Sequence, residues 1–393
     1  VLLDVYRRLT FSALLLCLLF TFQAAAQPLT GADRMDAYLP LLEGRRVALL
    51  INQTSVTGGR LLADTLLARG VRLTKIFAPE HGFRGTADAG ASVRNDRDSA
   101  TGLPVISLYG SSKKISKAQL ADVDLLIYDL QDVGVRFYTY ISTLQYAMEA
   151  CAAHEKPLLV LDRPNPNGYY VDGPVLDTAL RSFVGMQPVP VVYGMTVGEY
   201  AQMLRGERWF PGAEKLQLTV IPCEGYRHGD RYPLPVPPSP NLKTADAVRY
   251  YPSLCLFEGT VVSVGRGTAT PFEHWGHPAF RGKGRHSFTP VSMTGATKPL
   301  LEGKTCYGEK MKEDDLNDHS FTLQPLLQAY QWYPEKEKFF SSPGFFDKLA
   351  GTPDLRRQII AGITEQEIRA TWQPELNRFK EIRKRYLLYP DFE

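Results

Sequence analysis

From Arg45 to about Pro166 the chain repeats one pattern: a short apolar run, a polar loop, then an amphipathic stretch. This alternation constrains the fold more than any other feature, because strands separated by helical crossovers pair in parallel and send their carboxyl ends to one edge of a sheet. Strands are predicted at Val47 to Ile51, Arg72 to Phe77, Val105 to Leu108, Leu125 to Tyr128 and Leu158 to Leu161. Helices are predicted over Arg60 to Arg69, Ser116 to Ala121 and Tyr140 to His154. The fold class that follows is α/β, with a Rossmann-like parallel sheet.

The predicted strand ends collect polar residues. The first strand is followed by Asn52-Gln53-Thr54-Ser55, the second by Pro79-Glu80-His81-Gly82 and the third by Tyr109-Gly110-Ser111. The fourth leads into Asp129-Leu130-Gln131-Asp132-Val133-Gly134-Val135-Arg136-Phe137-Tyr138, and the fifth into Asp162-Arg163-Pro164-Asn165-Pro166-Asn167-Gly168. Ligands of open α/β sheets bind outside the strand ends, so this edge is the predicted site. No phosphate-cradling glycine fingerprint follows the first strand, so a dinucleotide is not expected.

Glu80 is the first candidate for an acid or base. Beside Phe77, Pro79 and Phe83 its carboxyl would be partly desolvated, which favours the protonated form; Arg84 or His81 would act the other way. The alternative is a charged turn in which Glu80 pairs with Arg84. Asp132 is a candidate partner, alternatively a helix cap paired with Arg136. In glycosidases a carboxylate separation of about 5 Å implies retention and a longer one inversion. Asn52, His81, Gln131, Arg136, Tyr138, Arg163 and Asn165 share this edge as candidate substrate-binding residues.

After Gly173-Pro174 the composition shifts toward Pro, Gly and Tyr, which sets a first domain over residues 27–180, extending to at most about 235, and a second over 181–393. Thr196-Val197-Gly198-Glu199 reads as a capping box opening a helix, and Leu216 to Ile221 as a strand. Pro233 to Pro240 reads as a rigid extended piece, with Asn241 just beyond as a further binding candidate. Phe257 to Thr268 reads as a strand bracketed by glycines, flanked by Glu258, a third catalytic candidate, and Arg266, a binding candidate. Thr364-Glu365-Gln366-Glu367 is a second capping box, followed by apolar residues at helical spacing from Ile368 to Tyr386.

Other chemistries lack support. His274 and His277 are not at the helical spacing of zinc proteases, so no metal is expected, and no other cofactor. No G-x-S-x-G elbow is present. With 45 Lys+Arg against 42 Asp+Glu and no basic block, nucleic acid is not an expected partner. Residues 1–26 read as a signal peptide: Arg7 and Arg8, an apolar run from Leu9 to Phe22, then Ala24-Ala25-Ala26. That run is too short and wrongly flanked for a membrane span, so an exported protein, periplasmic or secreted and not embedded in a membrane, is expected. Cys151, Cys223, Cys255 and Cys306 are widely spaced and read as buried hydrophobes rather than a disulfide framework. The 20 Tyr and 28 Pro suit a sugar-stacking cleft and equally suit rigid packed loops.

Taken together, Pro79-Glu80-His81-Gly82, Tyr128 to Tyr138, Asp162-Arg163-Pro164-Asn165-Pro166, Pro238-Ser239-Pro240-Asn241 and Phe257-Glu258-Gly259-Thr260 through Gly265-Arg266-Gly267-Thr268 resemble one family in order along nearly the whole chain. That family is DUF1343, the exo-β-N-acetylmuramidases of the NamZ type. The resemblance implies a Rossmann-like domain, a smaller α/β domain and a site in the cleft between them. It also implies release of N-acetylmuramic acid from the non-reducing ends of peptidoglycan fragments, with Glu80 as the acid. Either Asp132 or Glu258 would be the second carboxylate, unless the substrate's N-acetyl group replaces it. Arg136, Arg163 or Arg266 would grip the lactyl carboxylate, and Tyr138 or Tyr140 would stack on the ring. The rival expectations are a non-catalytic sugar-binding protein and a hydrolase of another cell-wall bond.

Overall fold

The computed structural model describes residues 27–80, 82–83, 96–110, 113–312 and 321–393. The expected signal peptide, His81 and Arg84 lie outside the described residues. The strands are β1 (Val47–Ile51), β2 (Val56–Thr57), β3 (Arg60–Leu61), β4 (Leu73–Ala78), β5 (Asp96–Arg97), β6 (Pro104–Ser107), β7 (Leu125–Asp129), β8 (Leu158–Leu161), β9 (Leu218–Ile221), β10 (His274–His277), β11 (His286–Phe288) and β12 (Cys306–Lys310). Seven of them form one sheet in the order β5-β6-β4-β1-β7-β8-β9. All neighbours in it are parallel except β5, which runs antiparallel to β6 at one edge. The parallel strands thus follow the doubly wound order of a Rossmann-like sheet, and the direction of winding reverses between β1 and β7.

The sheet forms here because its central strands are apolar on both sides. Every residue of β1 is buried, and alternate residues enter different cores. Ala48 and Leu50 join Leu126, Tyr128, Leu158 and Val160 on one face; Val47, Leu49 and Ile51 join Ile76, Ile127, Leu159 and Leu161 on the other. Helices α1 (Met35–Leu42) and α2 (Leu62–Ala68) cover the second face with Tyr38, Leu42, Leu62 and Leu66. Helices α3 (Tyr140–Ala153) and α4 (Val197–Gly206) cover the first. Burying each large aliphatic side chain stabilises by roughly 1.5–3 kcal/mol.

The second part packs on that first face without a separate core, since Tyr250, Phe257, Trp275, Phe339 and Phe379 belong to the same apolar cluster as Leu50 and Val160. It comprises a three-stranded antiparallel sheet in the order β10-β12-β11 and helices α5 (Ala245–Leu254), α6 (Gln324–Trp332), α7 (Pro343–Ala350), α8 (Asp354–Ile360) and α9 (Glu365–Lys384). Both expected capping boxes are present, Thr196 with Glu199 and Thr364 with Glu367. The four cysteines are buried and unbonded. Among the described residues no helix is long and apolar enough to cross a membrane.

Three expectations need correction. Phe257 to Thr268 is not a strand: Cys255–Gly259 is a 3₁₀ turn, and beyond it only Ser263 makes a bridge, to Gly276. Gly265 and Gly267 take positive φ, which bends the chain out of any ladder, and the valines are buried by packing. The Ser116 to Ala121 helix shrinks to the 3₁₀ turn Ala118–Leu120. The expected helix from Arg60 starts at Leu62, because Arg60 and Leu61 pair with β2. The large sheet also continues past residue 180 to take β9 as its last strand.

Buried polar groups hold the strand-end loops. Asp129, at the end of β7, receives a two-point contact from Arg163 after β8, at 2.5 and 2.9 Å. Asp162 accepts from the Gly198 and Arg163 N–H groups, Thr196 Oγ1 and the hydroxyl of Tyr389. The chain end around Tyr389 is held further by Arg383 to Asp391 (2.7 Å twice) and by Leu388 N to Glu199 (2.7 Å). Arg136, fully buried, donates Nη1 to the carbonyls of Pro174 and Val189 and Nη2 to that of Leu349, at 2.7 to 2.8 Å, so it joins the β7 loop to α7. Asp132 Oδ2 accepts from Tyr193 and from Gly134 N, while its buried Oδ1 has no hydrogen-bond partner among the described residues. Gly134 lies at φ +75°, and a Cβ there would sit 2.1 Å from Asn165 Oδ1.

Two outcomes follow from these groups. Arg136→Met leaves three interior carbonyls without their donor and should destabilise the protein by about 3–5 kcal/mol, measured as a lowered urea midpoint, with Arg136→Lys recovering part of the loss. Burial pushes the Asp132 carboxyl up to about 7. A group whose folded pKa is raised favours the folded state most at low pH, and its contribution falls as pH rises from its free value toward the folded one. The wild type should therefore lose stability from this group between about pH 4 and pH 7, and Asp132→Asn should flatten that part of the urea-midpoint profile.

Candidate active site

The winding reversal between β1 and β7 opens the sheet edge where the loop carrying Asn52 meets the loop carrying Gln131 and Tyr138. Beside it, beyond the ends of β4, β6 and β7, lies a cavity of about 440 Å³, a volume suited to a small polar ligand. The sheet side supplies Glu80, Tyr109, Lys113, Tyr138 and Tyr140; the second part supplies Tyr251, Glu258, Arg266 and Phe272. Four larger concavities, about 800, 730, 590 and 500 Å³, are lined by none of these residues.

Glu80 sits just past the end of β4, half-buried. Its Oε2 accepts from Thr139 Oγ1 at 3.1 Å, and among the described residues it makes no ion pair. Thr139 immediately precedes α3, so the helix start fixes the carboxyl. Asn52 reaches the same point from β1: its Nδ2 donates to Tyr140 Oη at 2.7 Å, and its Oδ1 accepts from Thr54 N and Oγ1. Burial raises the Tyr140 hydroxyl well above the usual tyrosine range, so it remains a neutral donor.

The aromatic wall is a chain of edge-to-face contacts. Tyr138 meets Tyr140 at 4.7 Å and Tyr251 at 6.1 Å between centroids, and Tyr251 meets Phe272 at 5.0 Å. Tyr138 Oη donates to Pro238 O at 2.9 Å, which fastens the proline-rich segment to the sheet edge. On the far side Arg266 gives Nε and Nη2 to Glu258 Oε1 at 2.9 and 2.6 Å, with its guanidinium 4.9 Å from the Phe272 ring. Both bonds fall on one oxygen. Glu258 Oε2 is left with the Cys255 thiol at 3.8 Å.

Of the candidates from the sequence, the fold brings Glu80, Tyr138, Tyr140, Glu258 and Arg266 to this cavity. His81 lies outside the described residues, and the remaining candidates spend their polar atoms inside the chain. Gln131 donates to the Asp132 and Pro164 carbonyls, Asn165 to Met195 O and Asn241 to Gly295 O. Asn52 acts on Tyr140, and Asp132, Arg136 and Arg163 are the buried loop fasteners described above. The cavity also contains groups the sequence reading passed over: Lys113, Thr139, Tyr251 and Phe272. Thr139 was legible as the residue before a helix that starts at a strand-end loop. Tyr251 and Phe272 carry no local signal, because they reach the cavity only through long-range packing.

Among the described residues no group of three or more His, Cys, Asp or Glu is arranged to hold a metal. The arrangement is two carboxyl groups from opposite parts of the chain, an aromatic wall and cationic side chains around a space of monosaccharide size. Such a site can protonate a leaving oxygen and stabilise the positive charge that develops on a sugar ring.

Sequence models of the exo-beta-N-acetylmuramidase NamZ N-terminal and C-terminal domains match residues 47–246 and 249–389. The chain is 37% identical over 381 residues to the peptidoglycan beta-N-acetylmuramidase NamZ of Bacillus subtilis, covering 92% of this chain and 91% of that protein. Crystal structures of two DUF1343 family proteins from Bacteroides fragilis superpose with TM-scores of 0.86 and 0.78. The first is 44% identical and covers 93% of this chain and 100% of that one; the second is 29% identical, with coverages of 92% and 99%. With both of its domain models matched in order, the chain belongs to the NamZ family of exo-β-N-acetylmuramidases.

Proposed function

We propose that this protein is a glycoside hydrolase that releases N-acetylmuramic acid from the non-reducing ends of peptidoglycan fragments, with Glu80 and Glu258 as its working carboxyl groups. The observation that carries the assignment of roles is that these two side chains, from opposite parts of the chain, line one aromatic-walled cavity. Glu80 gives its proton to the glycosidic oxygen as the bond from that oxygen to the anomeric carbon breaks. Glu258, through Oε2, faces the positive charge on the ring; water forms the new bond to the anomeric carbon and gives its proton to Glu258. Arg266 orients Glu258 by holding Oε1, and Thr139 orients Glu80. Tyr138, Tyr140 and Tyr251 supply apolar ring faces and edges for the sugar.

The apolar run from Leu9 to Phe22 behind Arg7 and Arg8 supports export to the periplasm or beyond, where such fragments occur. Fractionation of cells expressing the full chain tests this, with the shortened protein expected outside the cytoplasm.

Hydrolysis of a chromogenic β-N-acetylmuraminide by the purified protein is the direct test, and a folded protein that releases no N-acetylmuramic acid from it or from wall fragments refutes the assignment. Glu80→Gln should lower kcat by about 10²–10⁴-fold with little change in fold, read by circular dichroism. Glu258→Gln should also act mainly on kcat. Full activity in either variant removes that residue from the mechanism.

A further inference from the structure

Among the described residues the cavity is lined by two cationic side chains, and only one of them has a described counter-ion. Arg266 is matched by Glu258 on two hydrogen bonds, so that pair brings little net charge. Lys113 follows the Tyr109-Gly110 turn at the end of β6 and is half-buried. Its Nζ donates to Gly110 O at 3.2 Å and lies 5.1 Å from the ring of Phe183 and 5.9 Å from that of Tyr109. Among the described residues no carboxylate is within ion-pair reach of it, whereas its neighbour Lys114 pairs with Glu149 at 2.9 Å. An ammonium held between a carbonyl and two ring faces keeps its position and part of its desolvation cost is already met, so an arriving carboxylate gains a charge-assisted bond without displacing a protein partner.

A muramic acid residue differs from a glucosamine residue by its lactyl ether, which ends in a carboxylate. The arginines weighed for that group are otherwise engaged: Arg136 and Arg163 are buried in loop contacts, and Arg266 is neutralised. We infer that Lys113 is the specificity-determining residue that receives the lactyl carboxylate, on the rim of the cavity that also contains Glu80. This inference rests on the muramidase reading. It makes Arg266 a positioning residue for Glu258 rather than the anion grip.

The test compares Lys113→Met and Lys113→Arg with the wild type on a β-N-acetylmuraminide, its lactyl methyl ester and the matching β-N-acetylglucosaminide. The ratio of kcat/KM for the free acid to that for the methyl ester should fall about ten-fold or more in Lys113→Met, mostly through KM, and be largely kept in Lys113→Arg. An unchanged ratio in a Lys113→Met protein that still turns over the muraminide overturns the inference and leaves the hydrolase reading intact. If the wild type turns over none of these, calorimetric binding of N-acetylmuramic acid against N-acetylglucosamine separates the two. A preference for the acid that Lys113→Met abolishes keeps Lys113 while the hydrolase reading falls, and no such preference sinks both.

Discussion

A parallel sheet buried on both faces has one polar outlet, the edge at its strand ends, and the rest of this protein is arranged around that constraint. Because β1, β7 and β8 are apolar on every described residue up to their ends, no ionisable group can sit along them without cost. Asp129, the last residue of β7, shows the limit: it is tolerated because Arg163 contacts it at two points. The polar residues therefore crowd the loops beyond the strands, and the cavity lies among the loops that follow β4, β6 and β7.

The crowd divides into two kinds of group. Asp162, Arg136, Asn165 and Asn241 satisfy backbone and side-chain partners and give the loops fixed shapes. Glu80, Glu258, Arg266 and Lys113 line the space those shapes enclose. Rigid loops matter for chemistry of this class, since an acid displaced by an ångström from the leaving oxygen loses much of its effect. The shared apolar cluster serves the same end by fixing Glu258 relative to Glu80 through packed side chains rather than through a hinge.

Much of this was legible in the sequence, for identifiable reasons. β1 and β8 match their predicted spans because uninterrupted apolar runs bounded by polar loops have few other uses. Both capping boxes were readable because the interaction spans three residues. The stretch from Phe257 to Thr268 misled because its valines suggest a ladder, while Gly265 and Gly267 take positive φ and Val262 and Val264 are buried in the large apolar cluster. Arg136 reads as a substrate grip or a partner of Asp132, and only contacts with Pro174, Val189 and Leu349 reveal its burial as a loop fastener. Lys113 and Lys114 are adjacent and identical in type. What separates them is Glu149 on α3, a partner that neighbouring residues do not disclose.

The docked chain end has a consequence for how the molecule assembles. Asp162 and Tyr389 are 227 residues apart, and Asp162, at the heart of the sheet edge, receives one of its hydrogen bonds from that tyrosine. During synthesis the sheet strands all emerge long before their last donor does. Until then the carboxylate at the end of β8 is short of a partner, which weakens early closure of the loop edge. Closure of the sheet edge is thereby coupled to the arrival of a donor 227 positions downstream of the carboxylate it serves.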